Sequence, residues 1–176
     1  MAAFSFSREG FASVLHALGG KYALWGPKRL KGKGRFFGTD LVTCAPLESF
    51  DDLETGEKTS MSPKEIVFPP DETLFYFTGD RFSEPPLEDD RETIVFLRPC
   101  DINGFRRLDA MFLENGGAAD PYYRRRREKL YFFMIECRES FENCFCVSMG
   151  SNATDNYAAA FRFGEDSVEV EVKDSS

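Results

Sequence analysis

Thr93-Ile94-Val95-Phe96-Leu97 and, further along, Leu130-Tyr131-Phe132-Phe133-Met134-Ile135 are apolar runs with almost no polar alternation. A strand that shows one face to water alternates, whereas one covered on both faces does not. Each run therefore predicts a strand buried within a sheet that has a layer packed on either side. Between the two runs, Phe105, Leu108, Met111 and Phe112 recur at helical spacing over residues 103–114. Asn115-Gly116-Gly117 breaks that pattern, and Pro121 opens a second helix over residues 121–129. Strand, helices, strand is a βαβ-like unit, which requires parallel strands and a right-handed crossover.

Outward from this unit the patterns are shorter. Ser7 followed by Phe11, Val14, Leu15 and Leu18 and closed by Gly19-Gly20 predicts an N-capped helix with a glycine stop. Residues 22–25 read as a strand ended by Gly26-Pro27. Residues 28–38 are basic and glycine-rich, a loop or hairpin before a strand over 41–44, and residues 48–60 are acidic and turn-like. Ile66-Val67-Phe68 reads as a short strand cut by Pro69-Pro70, residues 73–77 as another, and residues 80–92, with Pro85-Pro86 and an acidic run, as a surface loop. Residues 157–163 and 168–172 alternate around Gly164-Glu165-Asp166, the pattern of a terminal hairpin. The expected fold class is α/β (α+β). It is a single compact domain over residues 1–176, with a mixed β-sheet, the βαβ-like unit and a C-terminal hairpin, flanked by short helices.

Composition narrows the function. A 42% hydrophobic share with 19 Phe supplies a core and excludes general disorder. The balance of 30 acidic against 22 basic residues, net −8, argues against free nucleic acid as a partner, because that needs a basic footprint. No apolar stretch approaches the roughly 18–20 residues of a membrane span. Residues 1–20, interrupted by Arg8, Glu9 and His16, lack the apolar centre of a signal peptide, so the chain reads as cytoplasmic. Charge falls in blocks: net +4 over residues 1–50, −9 over 51–92, +3 over 93–135 and −6 over 136–176. Such alternation suits either an assembly subunit docking through complementary patches or an ordinary mixed surface.

The chemistry lies in the cysteines. Of Cys44, Cys100, Cys137, Cys144 and Cys146, the first sits in a β-rich apolar run and reads as a core residue. Cys100 and Cys137 each follow the end of a buried strand, so parallel pairing brings both to the sheet edge where ligands of open α/β sheets bind. Cys144-Phe145-Cys146 follows closely enough to fold back there, and in an extended segment both sulfurs share a side. Spacing alone leaves three readings open: inert buried thiols, tetrahedral zinc, or a cubane iron–sulfur cluster. Nucleophilic catalysis is disfavoured, since the one histidine, His16, lies in the N-terminal helix with nothing to place it beside a thiol. Lys28, Arg29, Lys31, Lys33 and Arg35 read as a solvated loop rather than a phosphate cradle, and Arg124 to Arg127 as a partly ion-paired helix surface.

Three stretches then carry a resemblance. Lys58-Thr59-Ser60-Met61-Ser62-Pro63 runs into residues 66–77, and Arg98-Pro99-Cys100-Asp101-Ile102-Asn103 is followed by Arg107-Leu108-Asp109. The most specific is Glu136-Cys137-Arg138-Glu139-Ser140-Phe141-Glu142-Asn143-Cys144-Phe145-Cys146-Val147-Ser148-Met149-Gly150. Together they resemble the N-terminal half of the A-type subunits of anaerobic sulfite reductases, iron–sulfur electron-transfer proteins related to the beta subunits of soluble sulfhydrogenases. The likeness runs over nearly the whole chain. It implies a relay: electrons pass from an NADH-oxidising flavin (FAD) subunit, through iron–sulfur clusters, to a sirohaem subunit that reduces sulfite to sulfide.

In that family a C-terminal ferredoxin-like module holds two clusters on CxxCxxCxxxCP-like runs. No CxxC occurs in these 176 residues, so that module has no counterpart here. The resemblance further implies that Cys100, Cys137, Cys144 and Cys146 hold an additional [4Fe-4S] cluster. Arg98 and Arg138 would offset its charge, and Asp101 would cap the helix from about Asn103. No independent catalytic activity is expected of such a piece. The alternative is a non-redox docking or scaffold domain, clusterless or zinc-stabilised, of a sulfite reductase or hydrogenase complex.

Overall fold

The computed structural model of the protein describes residues 2–85 and 91–173. In chain order the elements are β1 (Ala2–Ser7), α1 (Arg8–Gly19), β2 (Ala23–Leu30), β3 (Leu41–Pro46), β4 (Tyr76–Thr78), β5 (Arg81–Ser83), β6 (Thr93–Leu97), α2 (Pro99–Asp109), α3 (Pro121–Arg127), β7 (Leu130–Ile135), β8 (Ala159–Phe163) and β9 (Ser167–Val172). Single 3-10 turns lie at Phe50–Asp52 and Pro63–Ile66, and α2 continues directly into a π-helical turn, Ala110–Glu114.

The two apolar runs are neighbouring parallel strands, with Thr93 opposite Leu130 and Leu97 opposite Met134. Two further strands extend the parallel block, β2 beside β6 and β8 beside β7. Antiparallel β3 and β9 flank it and β1 closes one side, giving a seven-stranded mixed sheet ordered β1-β9-β8-β7-β6-β2-β3. The α/β class and the terminal β8–β9 hairpin are as the sequence predicts.

Period two divides each apolar run between two cores. Ile94, Phe96 and Ile135 face the side covered by Phe11 and Leu15 of α1 together with Phe50. Val95, Leu97, Phe132 and Met134 face the side covered by Ile102, Phe105 and Leu108 of α2 and Tyr123 of α3. Ser7 caps α1, its hydroxyl accepting from the Gly10 amide at 3.1 Å. The basic run is largely accounted for. Arg126 pairs with Glu72, Arg127 with Asp109, and the Arg125 guanidinium lies over Tyr122.

Several expectations fail, each for a physical reason. Gly26-Pro27 does not end β2, which continues to Leu30. Pairing with β6 stops at Trp25, and beyond it the Pro27 carbonyl accepts from the Glu54 amide at 2.7 Å on that side. The amide hydrogen that proline lacks would have pointed the same way, so its loss costs no ladder bond with β3. Ile66-Val67-Phe68 is not a strand; Ser62-Pro63 starts a 3-10 turn instead, and Val67 is right-handed helical. Of residues 73–77 only Tyr76 and Phe77 are in a strand, and that strand pairs with Arg81–Ser83 in a separate two-stranded sheet. The surface-loop reading of 80–92 thus gives way at Arg81–Ser83, while 86–90 lie outside the described residues. Helix α2 starts at Pro99, where proline's fixed φ suits a first helical position, so Arg98 is the N-cap residue and Asp101 does not cap. The N-terminal strand β1, where Phe4-Ser5-Phe6-Ser7 alternates but the sequence reading places no strand, is added by pairing with β9.

Candidate functional site

The common register of β6 and β7 makes both strands finish at one level, and the chain leaves each through a cysteine-bearing segment. After β6 come Arg98, Pro99 and Cys100, the last in the first turn of α2. After β7 come Glu136 and Cys137, with the Glu136 amide still bonded to the Phe161 carbonyl of β8 at 2.9 Å. This is the carboxyl edge of the parallel block, the position at which open α/β sheets bind ligands.

Arg98 is the hub. It is 6% exposed, a rare state for arginine that requires its fork of donors to be satisfied. Nη2 donates to the carbonyls of Thr55 at 2.8 Å and Glu57 at 3.3 Å, and Nη1 donates to Cys137 Sγ at 3.5 Å. The guanidinium also lies over the Phe141 ring, 4.3 Å from its centroid. Its own carbonyl accepts from the Asp101 and Ile102 amides at the start of α2. The loop offering those two carbonyls is itself preset. Glu54 accepts from the Gly56 and Glu57 amides and pairs with Arg29 Nη2 at 2.8 Å. Burial pushes the Glu54 carboxyl up, but Arg29 and the two amides outweigh it and hold it below the ordinary range.

The thiols differ in setting. Cys100 is half-buried, and desolvation first, then the neighbouring Asp101, Cys137 and Cys146, push its thiol up to about 11. The charges of Cys137 and Cys146 therefore reach Cys100. Cys137 is exposed, and Cys144 and Cys146 are partly exposed. Asn143 adopts a left-handed φ of 62° in the turn where the Cys144 amide bonds the Phe141 carbonyl, a conformation asparagine tolerates. Cys146 enters a further turn rather than an extended segment, so the shared-side argument for CxC does not describe this loop. Cys44 is in the core as expected, 3% exposed, and burial with help from Asp101 and Glu65 pushes its thiol up to about 12.

The loop returns to α2. Asn103 Nδ2 donates to the carbonyls of Ser151 at 3.1 Å and Ala153 at 2.9 Å, and the Ser151 amide donates to the Cys146 carbonyl at 2.9 Å. A cleft of about 720 Å³ opens between loop and helix, bordered by Cys100, Arg106, Arg107, Phe145 and Met149. Phe145, Val147 and Met149 stand 59–69% exposed. Asp101 is drawn up by burial, opposed by Arg98, Lys58 and Lys64. His16 is exposed on α1, on the opposite side of the sheet from α2 and Cys100. Thr55, Glu57, Asn103 and Phe141 escaped the sequence reading as site residues. Only their membership in the three distinctive stretches or the adjoining acidic turn could have signalled them.

As a donor set the site is all sulfur with one buried cation beside it, which suits a thiolate-ligated metal centre in kind. Among the described residues, however, no three His, Cys, Asp or Glu side chains are gathered closely enough to hold an ion as they stand. Among the described residues, no helix is long and apolar enough to cross a membrane.

Comparison with known proteins finds a likeness to one subunit of a sulfhydrogenase. Over 130 residues, 70% of this chain, the sequence is 31% identical to sulfhydrogenase 2 subunit beta of Pyrococcus furiosus. The aligned stretch spans 37% of that protein, little more than a third of its length. No protein-family model matches the chain. No solved structure matches it either. The sulfhydrogenase side of the resemblance is thereby supported.

Proposed function

We propose that the chain is an electron-transfer domain of a multi-subunit oxidoreductase. In this reading Cys100, Cys137, Cys144 and Cys146 hold a [4Fe-4S] cluster as thiolates at the carboxyl edge of β6 and β7. What supports the reading is that Cys100 feels the charges of Cys137 and Cys146, and Cys137 accepts from the buried Arg98, at this sheet edge of a chain similar to a sulfhydrogenase beta subunit. The cluster, when bound, supplies one-electron transfer. The protein's part is to present four sulfurs, to donate to one of them from Arg98 and to pin the loop through Asn103.

The finer reading follows the sequence resemblance. Residues 1–176 correspond to the N-terminal domain of a sulfite reductase A-type subunit, the donor is an NADH/flavin subunit, and the acceptor is a sirohaem subunit that reduces sulfite. The test is anaerobic reconstitution with iron and sulfide, followed by metal analysis. The expected outcome is about four irons per chain and a broad absorption at about 400 nm, bleached by Cys144→Ser or Cys146→Ser. Protein that stays iron-free after reconstitution overturns the reading, and zinc without a chromophore points to a structural zinc domain.

A second reading, a docking domain joining redox subunits, is favoured by the loop's own bonding through Asn103 and Ser151 and by the exposed Phe145, Val147 and Met149. It predicts that a variant with serine at all four thiols folds and still co-purifies with flavin and sirohaem subunits. Under the electron-transfer reading, that variant carries no current between them.

A further inference from the structure

We propose that two copies of this chain associate head to tail, the tip of the β2–β3 hairpin of one seated on the β4–β5 ribbon of the other. The inference goes beyond the electron-transfer reading and does not depend on it. In the ribbon, every residue of both strands is exposed. A two-residue turn, Gly79-Asp80, joins the strands, with Gly79 at a φ of 61° that suits glycine. Phe77 and Phe82 stand directly opposite one another, 78% and 71% exposed. The Phe75 ring lies 6.4 Å from the first and 6.1 Å from the second, so three rings share one face. A two-stranded ribbon is marginal by itself in water, and a cover over that aromatic face stabilises it.

The tip carries the complement. Phe36 and Phe37 are 72% and 107% exposed, beside the exposed Lys31, Lys33 and Arg35. The turn that presents the two rings is held by its own bonds. Thr39 Oγ1 donates to the Phe36 carbonyl at 2.7 Å, the Gly34 amide to the Thr39 carbonyl at 2.8 Å, and the Gly32 amide to Asp40 Oδ1 at 2.9 Å. Residues 31–38 hold three bases and no acid, whereas residues 71–84 hold four acids against Arg81 alone. Glu72 is paired with Arg126, but Asp71, Asp80 and Glu84, like the three bases of the tip, have no ion-pair partner among the described residues. Within one molecule the exposed rings show that tip and ribbon do not cover each other. An apolar centre with oppositely charged rims is the make-up of a protein interface, and a second copy supplies both halves. Because the two surfaces differ, the contact is heterologous: it closes as a pair when both tips engage and runs on as an open series when one does.

The experiment is sedimentation velocity on the purified chain at about 5–200 μM, a range that brackets a Kd of tens of micromolar. The weight-average mass rises with concentration, toward twice that of one chain for a closed pair and beyond it for an open series. Phe36→Ser with Phe37→Ser in the tip, or Phe77→Ser with Phe82→Ser in the ribbon, keeps the protein at the single-chain mass. Each of these variants retains one intact half, so an equimolar mixture of the two recovers association. Lys33→Glu with Arg35→Glu weakens association at least about tenfold, as does raising salt from about 50 mM to about 0.5 M. Far-UV circular dichroism checks that each variant is folded; if the ribbon variant loses its hairpin, the tip variants decide, because they leave the ribbon untouched. Wild-type protein that stays at the single-chain mass throughout overturns the proposal and leaves the ribbon to a different protein. Association that both tip variants retain overturns it as well, since another surface then carries it. Neither result bears on iron uptake, so the electron-transfer reading stands or falls separately.

Discussion

Cys44 and Cys137 show how much one position decides about the same chemical group. Cys44 lies in β3 in the α2-side core, where ionising it would strand a charge among apolar side chains; its thiol is pushed up to about 12. Cys137 is exposed just past the end of β7. Thiolate, not thiol, is the nucleophile, so iron-free reduced protein treated with iodoacetamide at about pH 8 should label Cys137 first and Cys44 last, at least about tenfold apart, as mapped by mass spectrometry. Equal rates would show that β3 opens freely. Cys44's burial was readable from its apolar neighbours in sequence. Arg98's role was readable only as adjacency to Cys100. Its actual partners, Thr55, Glu57 and Cys137, stand 43, 41 and 39 residues away, and no local pattern encodes such contacts.

Among elements, β2 is the instructive case. Gly26-Pro27 reads locally as a stop, yet the strand runs through it because the sheet supplies partners on one side and needs the small residue on a face. A Cβ at Gly26 would stand 3.0 Å from Leu47 Cδ1, 3.0 Å from Leu53 Cδ1 and 3.2 Å from Phe96 Cβ. Gly26 is therefore the point where the 47–53 segment closes over β2 and β6. Gly26→Ala should destabilise the protein by about 1–3 kcal/mol through overpacking, seen as a lower urea midpoint at unchanged slope. An unchanged midpoint would mean that Leu47 and Leu53 have room to retreat. The helices were better foretold: the caps of α1 and the apolar spacing of α2 are local signals. The start of α2 at Pro99 was missed because the arginine before it caps with backbone alone and offers no side-chain oxygen.

For the molecule as a whole, the aromatic rings on the α1 side of the sheet form one connected cluster. Phe161 of β8 lies 5.6 Å from Phe11, 5.2 Å from Phe96, 5.0 Å from Phe133 and 6.2 Å from Phe163, ring centroid to centroid, joining α1 to the centre of the sheet. Phe161→Ala should cost about 3–5 kcal/mol, a large part of a typical domain's stability, and should appear as a much lower unfolding midpoint. A loss below about 1 kcal/mol would show that the neighbouring rings collapse into the space. By itself the sequence determined the buried parallel pair, the covering helices, the terminal hairpin and the α/β class, because burial on two faces and helical spacing are written into neighbouring residues. Only the tertiary structure decided the passage of β2 through proline, the addition of β1, and the meeting of Arg98 with the 55–57 loop, Phe141 and Cys137. Those depend on which distant segments share a sheet edge, and sequence separation of about forty residues carries no periodic signal of that proximity.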